Sequence, residues 1–208
     1  MKSIFLSASI PDPADKKVVP ADPLMIHAAV RSFLALVLGR RHIVWGGHPS
    51  ITPMVRAACS DLGLEYLDCV TLYQSEFYLD NFPSDNHAFS DVVVVPKGVD
   101  KKTSLEALRK AMFEENDFES AVFVGGMAGI ENEFQLLHSL QPHSTLVPLF
   151  ATGGVAGQLA LKNGYDPGAD PNPTDFTRQL VEKLNVHPSE PRNTAALGSK
   201  TKKNKFRP

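Results

Sequence analysis

Three times in this chain a short run of strand-forming residues ends in a glycine pair and passes into a helical pattern. The pairs are Gly46-Gly47 after HIVW, Gly125-Gly126 after AVFV, and Gly153-Gly154 after TLVPLFAT. With Gly129 and Gly157 they account for 8 of the 14 glycines. A strand that turns into a helix through glycine is the unit of a parallel sheet with helical crossovers, so the recurrence points to an open α/β fold. In such sheets these turns lie at the carboxyl ends of the strands, where ligands bind. Glycine there permits positive φ and lets backbone N–H groups approach an oxyanion closely.

The remaining patterning agrees. Lys2–Ile10 (KSIFLSASI) reads as a first, central strand ended by Pro11-Asp12-Pro13. Asp22-Pro23 gives an N-cap and a first-turn proline. A helical stripe of Met25, Ile26, Ala29, Val30, Phe33, Leu34, Val37 and Leu38 follows, and Gly39 closes it. A helix is expected from Ile51 to Leu62, and a strand over Tyr66–Tyr73. Gln74–Ser90 reads as a polar, irregular excursion. The run Val92–Val95 has the mark of a strand buried on both faces. Thr103 or Ser104 is expected to cap the next helix, which turns Leu105, Leu108, Ala111 and Met112 inward. A helix carrying Ile130, Phe134, Leu137 and Leu140, a strand at Thr145–Phe150 and a closing helix at Thr174–Leu184 complete the alternation. The expected fold is Rossmann-like and doubly wound, a mainly parallel sheet with helices on both faces.

At 208 residues and 43% hydrophobic content the chain can bury one sizeable core. One domain is expected over residues 1–188. Residues 189–208 carry Lys200, Lys202, Lys203, Lys205 and Arg207 without apolar periodicity, and read as a solvated, disordered basic tail. Net charge is -2, so no global field draws the chain to nucleic acid or a membrane. Cys59 and Cys69 form no CxxC pair and read as reduced, buried thiols. With no signal-peptide pattern at Met1, a cytoplasmic address is expected. The histidines lack metal-ligand spacing, and neither a metal nor a cofactor is expected.

Polar residues flank the glycine turns. Ser7 and Ser9 end the first strand, His48 and Ser50 follow the first glycine pair, and Thr152 precedes the third. Each can donate to phosphate or ribose oxygens, while Ser50 serves equally as a helix N-cap. Arg40 and Arg41 follow a helix end and read as partners of its dipole. Trp45 suits base stacking and core packing about equally.

The densest pattern is Arg109-Lys110-Ala111-Met112 on a helix, followed by a strand and GGMAGIENEF. This resembles the LONELY GUY phosphoribohydrolases, whose pattern is an RKxxM-like helix, a strand, then PGGxGTxxE. The resemblance implies catalytic roles for Arg109 and a glutamate. Val124 stands for the family proline and Ile130 for its threonine, and one extra residue separates Gly126 from Gly129. With that insertion Glu133 matches the family glutamate; without it Glu131 is nearer. Across most of the chain FLSASIPDP, VWGGHPSITP, LEALRKAMF, VGGMAGIENEF and PLFATGGVAG resemble the SLOG group, whose members sense or process nucleotides and nucleotide derivatives, including cyclic ADP-ribose-like signals. Several are fused to effector domains in bacterial conflict systems.

The resemblance implies a ligand site built from Ser7, Ser9, Gly46, Gly47, His48, Ser50, Arg109, Gly125, Gly126, Met127, Gly129, Glu133, Thr152, Gly153 and Gly154. It implies a nucleotide-derived small molecule, a second copy of the chain and an effector protein as partners. Two further expectations stand beside sensing: N-glycoside hydrolysis with Arg109 and Glu133 or Glu131 as the catalytic residues, and a scaffold subunit with a vestigial pocket.

Overall fold

Because β1 (Ser3–Ser9) is buried along nearly its whole length, it has to lie between two other strands, and it does. In the computed structural model, which describes residues 3–12, 14 and 19–193, six strands form one sheet in the order β4-β3-β2-β1-β5-β6. Their ranges are His42–Trp45 (β2), Val70–Ser75 (β3), Asp91–Val95 (β4), Phe118–Gly125 (β5) and Thr145–Pro148 (β6). Every strand pair is parallel. The order reverses at β1, where the chain leaves toward β2 on one side and later returns as β5 on the other. The crevice at such a reversal is the usual ligand site of open α/β sheets.

Helices cover both faces. Helices α1 (Pro23–Val37), α2 (Thr52–Leu62) and α6 (Phe176–Leu184) pack on one, with Ile26, Phe33, Leu34, Val55 and Leu180 buried against Ile4, Leu6 and Ile43. Helices α3 (Lys101–Glu114), α4 (Ala128–Leu140) and α5 (Gly154–Lys162) take the other, where Phe5 meets Phe113 edge-on at 5.0 Å between ring centroids. Asp22 caps α1 as expected, accepting from the amides of Leu24 and Met25. Trp45 is buried against Phe89, a core residue more than a stacking platform.

Four expectations change. Helix α3 is capped by Asp100, whose side chain accepts the Thr103 amide, while the Thr103 hydroxyl accepts the Asp100 amide. The caps expected at Thr103 or Ser104 therefore lie inside the helix. Residues Leu64–Cys69 form a 3-10 turn after Gly63, so β3 starts at Val70, and it runs on through Gln74 and Ser75. The four valines lie on an edge strand, where Val92, Val93 and Val94 are only half-buried and Val95 alone is buried. Composition reported their two apolar faces but not their place at the rim. The last strand stops at Pro148, because Phe150–Thr152 close into a 3-10 turn.

Arg40 donates to the carbonyls of Leu36 and Ala35 at the end of α1, the dipole-complementing role read from its position. Arg41 instead bridges Glu119 and Glu190. Residues 189–193, read as the start of a loose tail, are tied to this corner through Arg192 and the Asn193 amide, which donates to Gly39. The lysines of the tail lie outside the described residues. Among the described residues no helix is long and apolar enough to cross a membrane.

Candidate functional site

A cavity of about 450 Å³ opens at the carboxyl ends of β1, β2 and β3, between α3, α4 and the segment that follows β3. Its walls include Ser7, Ser9, Gly46, Gly47, His48, Arg109, Gly129 and Glu133 from the residues expected at a site. Three elements meet at its floor. Ser7, near the end of β1, donates to Glu133 Oε2 at 2.5 Å. Arg109, from the third turn of α3, donates through Nε to Glu133 Oε1 at 3.3 Å. Glu133 itself stands in the second turn of α4, six residues after Met127 begins it.

The ion pair is largely hidden from solvent, with Arg109 11% and Glu133 20% exposed. Burial pushes the Glu133 carboxyl up from its ordinary value; Arg109 and the Ser7 hydroxyl pull in the opposite direction without overcoming it. A carboxyl so placed holds a proton more readily than an exposed one. The guanidinium spends only its Nε on Glu133, so its Nη groups remain for an anion. The adjacent start of α4 has no side-chain cap, although the Ile130 amide already donates to Met127 O. The alternative glutamate is elsewhere: Glu131 is 44% exposed and pairs with Lys162. The insertion in the glycine turn thus puts Glu133 opposite Arg109.

The second and third glycine pairs do not line this cavity. Their four amides are all spent within the protein: Gly125 on the Thr152 hydroxyl, Gly126 on Ser9 O, Gly153 on Phe150 O and Gly154 on Pro20 O. All four glycines have φ between 61° and 69°. The two turns lie back to back, so that a Cβ on Gly154 would come within 2.6 Å of the Gly125 carbonyl carbon. The expectation that Gly125, Gly126, Gly153 and Gly154 cradle a ligand is corrected: they let two backbones touch. Thr152, fully buried, belongs to the same support, since its hydroxyl accepts from Gly125 and donates to Leu149 O. Thr152→Val will orphan the Gly125 amide and cost about 1–3 kcal/mol in urea unfolding, with the cavity walls intact.

Ser50 also stands behind the wall. It neither caps α2 nor faces the cavity; its hydroxyl accepts the Ile10 amide and contacts His48 Nδ1 at 2.8 Å, tying the end of β1 to the first glycine turn. Met127 fronts the shallower groove between α3 and α4, which Arg109 and Gly129 share with the cavity.

What sequence reading missed is the far wall. Gln74 and the stretch Tyr78–Pro83, taken for a polar excursion, supply Tyr78, Asn81, Phe82 and Pro83. Two aromatics and a proline within six residues were the available signal.

The model of the SLOG cluster3 family matches residues 18–184. The chain belongs to the SLOG cluster3 family. The SLOG cluster3 span holds Arg109, Glu133 and the Gly46-Gly47 turn, while Ser7 and Ser9 precede it. Among curated proteins none matches. The chain is similar to the X-ray structure of TM1055, a structural-genomics target, with a TM-score of 0.53 and 15% identity, covering 89% of this chain and 99% of that one. At that identity the likeness speaks for the Rossmann-like fold alone.

Proposed function

We propose that this SLOG cluster3 protein binds a nucleotide-derived small molecule of the ADP-ribose or cyclic ADP-ribose type in the cavity and serves as its sensor. The observation that carries the reading is the buried Glu133 carboxylate, held by Ser7 from β1 and by Arg109 from α3. A ligand phosphate sits at the free side of the Arg109 guanidinium, beside the uncapped start of α4. Ribose hydroxyls donate to Glu133. The base lies toward Gly46, Gly47 and His48, under Tyr78 and Phe82. The fusions of SLOG members to effector domains extend the proposal to a signalling or defence role, in which an effector reads the loaded state.

Binding is favoured over turnover on two grounds. Both Glu133 oxygens already accept from protein donors. Ile130 replaces the threonine of the LONELY GUY pattern and packs its side chain against Gly126, presenting methyl groups in place of a hydroxyl.

One observation keeps hydrolysis as a second reading: the raised carboxyl of Glu133 beside a cation suits stabilisation of an oxocarbenium-like centre. There water adds to the anomeric carbon, the C–N bond breaks and the base leaves with a proton. Incubation with AMP, NAD and ADP-ribose separates the two. Saturable thermal stabilisation by at least one of them, with no free base on chromatography, is the expected result. Base release that disappears in Glu133→Gln would establish the hydrolase instead, and no shift with any of the three would remove both readings.

A further inference from the structure

The first glycine turn differs from the other two in where its polar groups go. Gln74, at the end of β3 and only 6% exposed, shares the two hydrogens of Nε2 among Gly46 O at 3.0 Å, Gly47 O at 3.3 Å and Tyr73 O at 2.9 Å. In a trans peptide the N–H points opposite to the C=O of the same unit. With both carbonyls turned to Gln74, the N–H groups of Gly47 and His48 are turned away from it. Neither donates to any acceptor among the described residues, whereas the amides of the other two glycine pairs all do. The fit is tight: Gly47 has φ of 70°, and a Cβ there would fall 1.8 Å from Gln74 Nε2.

Gln74 is itself oriented. Its Oε1 accepts from Asn86 Nδ2 at 3.2 Å, which fixes the amide with its NH2 toward the turn. Asn86 is 5% exposed, and its Oδ1 has no partner among the described residues. It sits in the segment that returns from the far wall of the cavity, so one side-chain relay joins that wall to the glycine turn.

We infer that Gln74 is a positioning residue. It makes the Gly46–Gly47–His48 wall a donor-only surface, selecting a ligand group that accepts hydrogen bonds there (an oxyanion, a carbonyl or a ring nitrogen), and Asn86 holds it in that role. The inference rests on reading the cavity as a nucleotide site, and it adds which chemistry the first glycine turn recognises.

The test uses the full chain with two variants, Gln74→Met, which keeps the length and removes the donor, and Gln74→Glu, which keeps the bond from Asn86 and sets an acceptor against the two carbonyls. ADP-ribose is titrated by calorimetry, and amide exchange of the unliganded proteins is followed by mass spectrometry. Both variants are expected to lose at least tenfold in affinity. In Gln74→Met, faster exchange is expected in peptides covering 76–88, where Asn86 loses its partner, with β1 and β5 unchanged. Affinity within twofold of the parent, with unchanged exchange at 76–88, overturns the inference. If the parent itself binds none of ADP-ribose, AMP and NAD, the functional reading falls, and the exchange result alone decides for or against Gln74.

Discussion

Gly154→Ala will destabilise the protein by roughly 2–6 kcal/mol, a large part of the 5–15 kcal/mol typical of a domain. Two independent costs add. Gly154 has φ of 61°, a conformation that costs a residue with a Cβ about 1–3 kcal/mol. The new methyl would also stand 2.6 Å from the Gly125 carbonyl carbon and 2.7 Å from the oxygens of Gly125 and Gly126. Those atoms are backbone at the end of the central strand pair and cannot swing aside, so overpacking adds about 1–3 kcal/mol. Gly164→Ala is the control. Its φ is 87°, yet nothing lies within 4 Å of the added carbon, so only the conformational cost of about 1–2 kcal/mol is due. Urea unfolding of both variants measures the difference. Equal losses would mean that the contact between the two glycine turns contributes nothing.

That prediction also marks where sequence reading and folded structure part. The alternation of strands and helices was visible because each element carries its own local signal: Asp22-Pro23 starts a helix, and Val122–Val124 and Ile43–Trp45 are runs that only a buried strand accommodates. Strand order is a non-local property. It put the four valines at the rim, and nothing in their own sequence records what lies on either side. The glycine pairs look alike in one dimension, yet one pair lines the cavity with its carbonyls taken by Gln74, and the other two are buried against each other. Which role a pair plays depends on the acceptor that its amides meet, and Ser9 O and the Thr152 hydroxyl come from elements far away in sequence. Arg109 and Glu133 were legible because their spacing follows a motif. Gln74 was not, since a single glutamine at a strand end has no pattern until its partners Gly46, Gly47 and Asn86 are brought to it.

The Arg109–Glu133 pair carries the second large effect. Arg109→Met will cost roughly 3–5 kcal/mol at neutral pH, the usual consequence of leaving one charge of a buried pair alone. The loss will depend on pH in a defined direction. Burial already raises the Glu133 carboxyl in the folded protein, and without the arginine it rises further, so the native state holds its proton more tightly than the unfolded chain. Stability is therefore greatest below the carboxyl's unfolded value, where both states are protonated, and is lost as the pH climbs through the raised folded value. The variant should approach the parent protein at acid pH and fall away from it toward neutrality. Glu133→Gln removes the titrating group and keeps an acceptor for Arg109 Nε, but it leaves the guanidinium, only 11% exposed, without its counter-charge. It should therefore also fall below the parent at neutral pH, without the carboxyl's pH dependence. The two changes are in contact and will not add: in the double variant the stranded carboxylate is absent, and most of the Arg109→Met penalty should disappear. A urea series across pH on the four proteins gives the full cycle. If Arg109→Met loses the same amount at every pH, Glu133 is not the buried acid that the geometry makes it. If stability follows the cycle while nucleotide binding survives in both single variants, the pair is structural and the ligand is held elsewhere in the cavity.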